Sequence, residues 1–160
     1  MARNMDHKVL SFDLNKCTGC RACEIRCSFK HFRLINPTKS RIRIIKFEEF
    51  GLNVPTVCQQ CTEAACMKVC PTKALREDLD TGARIIDDRR CIGCNLCMNI
   101  CPFGALTLTS EKKLIKCTLC QGDPYCVKYC ETGALSYEKV EKTEVEKRYQ
   151  FAKKMADSVK

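Results

Sequence analysis

Sixteen cysteines fall into four groups of four, and this pattern constrains the fold more than any other feature of the sequence. Every group opens with C-x2-C and ends with C-x3-C, and only the middle spacing changes, at two, four, two and five residues. The groups are Cys17, Cys20, Cys23 and Cys27; Cys58, Cys61, Cys66 and Cys70; Cys91, Cys94, Cys97 and Cys101; and Cys117, Cys120, Cys126 and Cys130. No cysteine is left over, so each group is one unit of an internal repeat.

Three kinds of site use thiols at this density. Disulfides fit poorly, because C-x2-C-x2-C packs three thiols too tightly for independent bridges, and the first residues lack the apolar core of an export signal. Structural zinc favours two C-x2-C pairs separated by a longer loop, often with histidine. The two histidines, His7 and His31, are expected to be ordinary polar residues. A 4Fe–4S cubane fits, because three of its thiolates come from one looping segment and the fourth from elsewhere. The sequence therefore predicts four 4Fe–4S clusters.

The cysteine spacing does not by itself determine which groups share clusters. In two-cluster ferredoxins the last cysteine of a run ligates the other cluster, so the groups must pair, and sequential pairing is one solution. However, Pro71 and Pro102 follow groups two and three, whereas Ser28 and Glu131 follow groups one and four. This difference favours a nested pairing of two with three and of one with four. The four predicted ligand sets are then Cys17, Cys20, Cys23 and Cys130; Cys117, Cys120, Cys126 and Cys27; Cys58, Cys61, Cys66 and Cys101; and Cys91, Cys94, Cys97 and Cys70.

The segments between the groups predict the fold class. Alternating or β-branched residues predict strands at residues 8–14, 41–47, 83–88, 105–110 and 134–139. Turn signals at residues 80–82 and 110–112 predict two hairpins, and the residues between the third and fourth cysteines suit a helical turn that Pro71 and Pro102 would stop. We expect an α+β fold of two nested bacterial-ferredoxin-like units, with short antiparallel hairpins and short helices around four clusters. Residues 1–57 with 107–139 form the outer unit, 58–106 the inner unit, and 140–160 a charged helical tail suited to docking.

Several residues beside the cysteines have expected roles. The repeated endings CPTKAL, CPFGAL and CETGAL place small residues where backbone N–H groups can approach a cluster, followed by leucines that shield it. These are Ala74, Ala105 and Ala134, followed by Leu75, Leu106 and Leu135. The basic residues Lys73, Lys116 and Arg21 lie next to predicted ligands, and we expect them to be solvated surface residues rather than to tune cluster potentials.

Charge and hydropathy limit the partners. The formal net charge is +9, but four clusters of about −2 each would bring the chain close to neutral. Lys and Arg form no stripe interleaved with aromatic residues, so no nucleic-acid partner is expected. No apolar run is long enough for a membrane span, and reduced thiols at this density predict a cytoplasmic protein.

The four groups in this order resemble the four-cluster ferredoxin-like subunits of molybdenum and tungsten pterin oxidoreductases, certain hydrogenases and carbon monoxide dehydrogenases. The resemblance covers residues 8–139, and in that family the nested pairing is the rule. The short C-x5-C of group four differs from dimethyl sulfoxide reductase-type and membrane formate dehydrogenase subunits. It is more similar to the small subunits of tungsten aldehyde oxidoreductases and tungsten benzoyl-CoA reductases.

The resemblance implies an electron-transfer subunit that is not itself an enzyme, since protein ligands fill every iron site. Its partners would be a large tungsten- or molybdenum-pterin subunit and a soluble ferredoxin or flavin/NAD subunit, and stacking of several copies stays open. The alternatives are a subunit of a hydrogenase, formate dehydrogenase or carbon monoxide dehydrogenase, a free-standing polyferredoxin carrier, and an iron–sulfur redox sensor.

Overall fold

The cysteine loops interrupt the chain so often that its regular elements are short. The computed structural model describes residues 8–139. Its strands are β1 (Lys8–Phe12), β2 (Ile42–Phe47), β3 (Leu52–Val57), β4 (Leu75–Glu77), β5 (Arg84–Ile86), β6 (Leu106–Leu108), β7 (Leu114–Lys116) and β8 (Leu135–Lys139). Its α-helices are α1 (Ala22–Phe32), α2 (Ala65–Lys68), α3 (Leu96–Asn99) and α4 (Tyr125–Lys128). The expected α+β class with short helices and antiparallel hairpins is confirmed.

The first and last strands of the described chain pair with each other. β1 and β8 are antiparallel, with Phe12 opposite Leu135 and Lys8 opposite Lys139. Since β1 precedes the first cysteine group and β8 follows the fourth, this pairing brings those two groups together. Helix α1 packs against α4, and α2 packs against α3. The contacts therefore join group one to group four and group two to group three.

Two hairpins form where the turn signals predict them. β4 pairs with β5 and β6 with β7, each antiparallel over three residues. In the first turn the Asp78 carboxylate accepts hydrogen bonds from the Asp80 backbone N–H and the Thr81 hydroxyl. In the second turn Lys112 has a φ of +59°. Strands β5 and β7 contact each other, so the two hairpins pack side by side.

The hairpin of β2 and β3 supplies much of the core, and its second strand is absent from the sequence prediction. Pro55 in the middle of LNVPTV argues against a strand, because proline has no N–H to donate to a neighbouring strand. It is tolerated here because β2 and β3 form a sheet of two strands, so no further strand needs that N–H. Alternate residues of the hairpin are buried, among them Ile42, Ile44 and Val57. They pack with Leu119 and with the cysteines of groups one and four.

The short helices lie between the third and fourth cysteines, as predicted, but proline does not determine where they end. Helix α4 stops at Lys128 although no proline follows Cys130. What α2, α3 and α4 share is a left-handed residue three positions after the last cysteine: Lys73, Gly104 and Gly133, with φ of +51°, +55° and +64°. Helix α1 lacks this turn and continues past Cys27 to Phe32.

No helix within residues 8–139 has the length and apolar character needed to cross a membrane. The helical tail predicted at residues 140–160 lies outside the described residues.

Candidate metal centres

Two cavities are each lined by four cysteines from two different groups. The first cavity is lined by Cys17, Cys20, Cys23 and Cys130, and its apolar wall includes Ile44, Pro55 and Leu135. The second is lined by Cys70, Cys91, Cys94 and Cys97, with Leu75, Ile86 and Leu114. Each cavity thus receives three thiols from one group and the fourth from the group with which nested pairing joins it. These cysteines are called the Cys17 set and the Cys91 set below.

The remaining eight cysteines also gather in two sets. Burial raises the pKa of Cys126, and the nearby thiols of Cys117, Cys27 and Cys120 raise it further. Burial likewise raises the pKa of Cys66, which is also raised by Cys58, Cys101 and Cys61. These combinations are called the Cys117 set and the Cys58 set.

The packing of the core places the sets in a row, because Cys58 lies in one cluster with Cys117, Cys126 and Cys23, and Cys66 lies in another with Cys97. Besides burial, a thiol of the neighbouring set raises the pKa of Cys97, of Cys117 and of Cys126. The neighbours are Cys66 for Cys97, Cys58 for Cys117 and Cys23 for Cys126. The order is therefore Cys91 set, Cys58 set, Cys117 set and Cys17 set. The exposed cysteines, Cys94 and Cys20, belong to the two ends of this row.

Each C-x2-C loop curls through a left-handed residue directly before its second cysteine. The four residues are Gly19, Gln60, Gly93 and Leu119, with φ of +69°, +49°, +70° and +53°. Glycine adopts this conformation at little cost, whereas Gln60 and Leu119 adopt it with full side chains. Both side chains are buried in the middle of the row. The fold therefore retains a side chain at these two positions although glycine would be less strained.

Backbone N–H groups point at several cysteine sulfurs. Ala74 N donates to Cys70 Sγ at 3.3 Å and Ala105 N to Cys101 Sγ at 3.5 Å, as expected from the small residues of the repeated endings. Although burial acts to raise the pKa of Cys70, N–H groups of Leu75 and Ala74 and the Thr72 hydroxyl lower it overall. Such donors stabilise a thiolate, which is the form that binds metal.

The expectation of a solvated surface position is wrong for Lys116. Its side chain is on β7 between the two packed hairpins and is only 2% exposed. Lys116 Nζ lies 2.9 Å from Cys58 Sγ and 2.7 Å from the backbone oxygen of Arg84. Lys73 and Arg21, by contrast, are exposed. Proximity to a cysteine in the sequence does not separate Lys116 from the other two residues, because all three lie within three positions of one.

His31, which we expected to be an ordinary polar residue, lies next to the predicted ligand Cys120. His31 Nε2 is 3.7 Å from Cys120 Sγ, and burial, with Arg41 and Lys30 nearby, lowers the pKa of His31 to about 4. The missed signal is that His31 follows Cys27 by four residues. Because α1 continues past Cys27, the two residues lie on the same face of the helix. His7 lies outside the described residues.

The sets suit 4Fe–4S clusters by their donor chemistry. All sixteen cysteines lie in the described region and none forms a disulfide. Among these residues no group of three or more His, Cys, Asp and Glu is close enough to hold a single metal ion. A cubane instead spreads its four thiolates over four irons, within walls that are apolar and donate N–H groups to sulfur. Both features are present here.

Comparison with known proteins agrees with this chemistry. The 4Fe-4S dicluster domain family matches residues 50–140. The polyferredoxin-like subunit of an aliphatic sulfonate oxidoreductase from Pyrococcus furiosus is 43% identical over 118 residues, covering 72% of this chain and 67% of that protein. The putative electron transport protein YsaA of Escherichia coli is 39% identical over 151 residues, covering 86% and 94% of the two chains.

A solved structure extends the similarity to nearly the whole chain. One chain of the active-site complex BamBC of benzoyl-coenzyme A reductase, determined with benzoyl-CoA, superimposes with a TM-score of 0.50 and 28% sequence identity. The match covers 95% of this chain and 96% of that chain. The protein therefore belongs to the 4Fe-4S dicluster domain family and is an iron–sulfur electron-transfer protein.

Proposed function

We propose that this chain carries four 4Fe–4S clusters and conducts electrons for a tungsten- or molybdenum-pterin oxidoreductase. The clusters are held by the nested ligand sets, and the chain itself makes or breaks no substrate bond. Electrons pass between the pterin site of a large catalytic subunit and a soluble ferredoxin or a flavin/NAD subunit. The observation that carries the proposal is the pair of cavities that are each lined by three thiols of one cysteine group and one thiol of another.

The row gives the conducting role a physical basis. Cys58 packs in one core cluster with Cys117, Cys126 and Cys23, and Cys66 packs in another with Cys97, so each set lies beside the next and an electron would pass along the row. The exposed Cys94 and Cys20 put the two end clusters within reach of partners, while the Cys58 and Cys117 sets are interior. Such an arrangement suits a relay that accepts electrons at one end and releases them at the other.

Support for the partner class comes from the relatives. One relative is named as a subunit of an aliphatic sulfonate oxidoreductase, and the superimposed chain belongs to an active-site complex of benzoyl-coenzyme A reductase. The first name describes a polyferredoxin-like subunit of an oxidoreductase, and the second describes a complex that holds a reductase active site. The similarity supports a catalytic subunit that binds this chain, and the resemblance of the four cysteine groups to the subunits of pterin oxidoreductases supports a pterin metal site in that partner.

The test is anaerobic isolation of the native protein from its own cells, followed by analysis of the co-purifying chains and metals. We expect about sixteen irons and an equal amount of acid-labile sulfide per chain, together with a large subunit that contains tungsten or molybdenum and pterin. A hydrogenase or carbon monoxide dehydrogenase as the co-purifying subunit would refute the pterin partner but retain the relay.

A free-standing electron carrier is the second candidate, because YsaA is named a putative electron transport protein without reference to a complex. That candidate predicts that the chain is isolated alone with all four clusters. A chain that contains little iron and sulfide after anaerobic isolation contradicts both candidates.

A further inference from the structure

The buried charge of Lys116 sits where the inner and outer cysteine sets meet. Its backbone directly precedes Cys117, whereas its ammonium group contacts Cys58 Sγ at 2.9 Å. The side chain is 2% exposed. One residue therefore connects the Cys117 set with the Cys58 set, which are the two middle positions of the row.

The ammonium group has no carboxylate partner among the described residues. Its acceptors there are Cys58 Sγ, the Arg84 backbone oxygen at 2.7 Å and Gln60 Oε1 at 3.5 Å. A buried cation without a compensating anion is strongly unfavourable. A cysteine thiolate on a cluster provides that negative charge, so the geometry is the one expected for a charge-assisted hydrogen bond to a cluster ligand.

Gln60 contacts the same junction. Its side-chain Nε2 donates to the Cys117 backbone oxygen at 3.2 Å, and its Oε1 accepts from the Arg84 N–H at 2.7 Å. It is 1% exposed and has a φ of +49°, where glycine would be less strained. The Gln60 amide makes contacts with Cys117, Arg84 and Lys116 that glycine at this position could not make. Gln60 thus fixes the position at which Lys116 meets Cys58.

We propose that Lys116 is a potential-setting residue that raises the reduction potential of the cluster ligated by Cys58. This inference rests on the proposed function, because it assumes clusters in the nested sets. A 4Fe–4S cluster with four thiolates gains one electron and no proton on reduction, so its charge changes from about −2 to about −3. A fixed positive charge next to a ligand sulfur stabilises the reduced cluster more than the oxidised cluster, because the reduced cluster is more negative. Burial keeps solvent and salt from screening this interaction. The electron comes from any one-electron donor, such as a reduced partner or dithionite.

The experiment is an anaerobic redox titration of the full-length protein, followed by electron paramagnetic resonance, for wild type and Lys116→Met. We expect one of the four components to become harder to reduce. At a fixed solution potential its ratio of reduced to oxidised cluster should fall about tenfold, because the buried positive charge interacts more strongly with the reduced cluster, which carries one more negative charge. Cys58→Ser should alter the same component, which assigns the shift to the Cys58 set.

Three further variants make the result specific. Lys116→Arg retains the charge and should titrate close to wild type. Lys116→Gln retains a donor without the charge and should shift in the same direction as Lys116→Met, and it serves if the methionine variant fails to assemble. Lys73→Met removes the same charge from an exposed lysine near Cys70 and should change every ratio by less than twofold.

The inference is overturned if the charge-neutral variants assemble four clusters and all components titrate as in wild type, or if Lys73→Met produces an equal shift. These outcomes leave the relay itself intact. Wild-type protein without four clusters would instead refute the proposed function, so the two failures are distinguishable by iron and sulfide content.

Discussion

The side-chain oxygen of Asn53 lies 2.3 Å from the position that a β-carbon on Gly19 would occupy. Asn53 also donates from Nδ2 to the Cys17 backbone oxygen at 3.3 Å. The first C-x2-C loop is therefore packed against the β3 strand with no space for a side chain. Gly93 occupies the equivalent place in the third group with nearly the same φ, but nothing lies within 4 Å of its added β-carbon.

These two glycines provide a matched test of loop packing. We expect Gly93→Ala to cost about 1 kcal/mol through backbone strain alone, and Gly19→Ala to cost about 1 to 2 kcal/mol more because Asn53 must move. The measurement is the rate at which visible cluster absorption is lost on anaerobic heating. Adding Asn53→Ala should relieve part of the Gly19→Ala effect and none of the Gly93→Ala effect. Equal rates for the two glycine variants would contradict the packing argument.

Glu24 connects the first cysteine helix to the core hairpin. The carboxylate is fully buried, accepts the Ile44 N–H at 2.7 Å and pairs with Arg21 at 2.8 Å. Glu24→Ala leaves a buried N–H without an acceptor and should lower the free energy of unfolding by about 2 kcal/mol. Glu24→Gln keeps an acceptor for Ile44 and should lose about half as much. Thermal unfolding midpoints measure both, with the exposed Glu49→Ala as the control that should stay near wild type.

Local patterns in the sequence predicted most of the fold and the composition of the site. The hairpins of β4–β5 and β6–β7 follow from turn residues within a few positions of the strands. The second strand of the core hairpin, β3, could not be predicted in this way. Pro55 is compatible with a strand only at the edge of a sheet, and the tertiary arrangement decides which strands are edges. The same limit applies to Lys116, whose burial results from two hairpins packing together, a contact that no local pattern encodes.

The nested pairing inferred from proline stays a prediction, and proline does not set where the short helices end. It separated groups two and three from groups one and four, yet α4 ends like α2 and α3 without it. What brings groups one and four together is the pairing of β1 with β8 and the packing of α1 on α4. Those contacts join elements from the two ends of the described chain, and local patterns in the sequence predict each element but not its partner.

Cys27 distinguishes the nested pairing from the sequential one. Under nested pairing Cys27 ligates the cluster of the Cys117 set, whereas sequential pairing would assign it to the cluster of group two. We expect Cys27→Ser and Cys117→Ser to change the same component of the electron paramagnetic resonance spectrum, and Cys58→Ser to change a different one. If Cys27→Ser and Cys58→Ser alter one shared component, the nested ligand sets are wrong.

Exposed apolar residues lie both at the Cys91 end of the row and on the β2–β3 hairpin beside the Cys17 end, and we predict that the Cys91 end faces the catalytic subunit. Ile92 is 67% exposed beside the exposed Cys94, and Ile100 and Phe103 of the same group are each 49% exposed. Stable subunit interfaces are more apolar than ordinary surface and depend on a few such side chains. Ile92→Asp should therefore weaken binding of the co-purified catalytic subunit by about tenfold, measured with purified subunits under anaerobic conditions.

Leu79→Asp changes an equally apolar residue, 85% exposed in the turn between β4 and β5, and should leave affinity within about twofold. If Leu79→Asp weakens binding as much as Ile92→Asp, docking is not centred on the Cys91 end, and the electron path must begin elsewhere in the row.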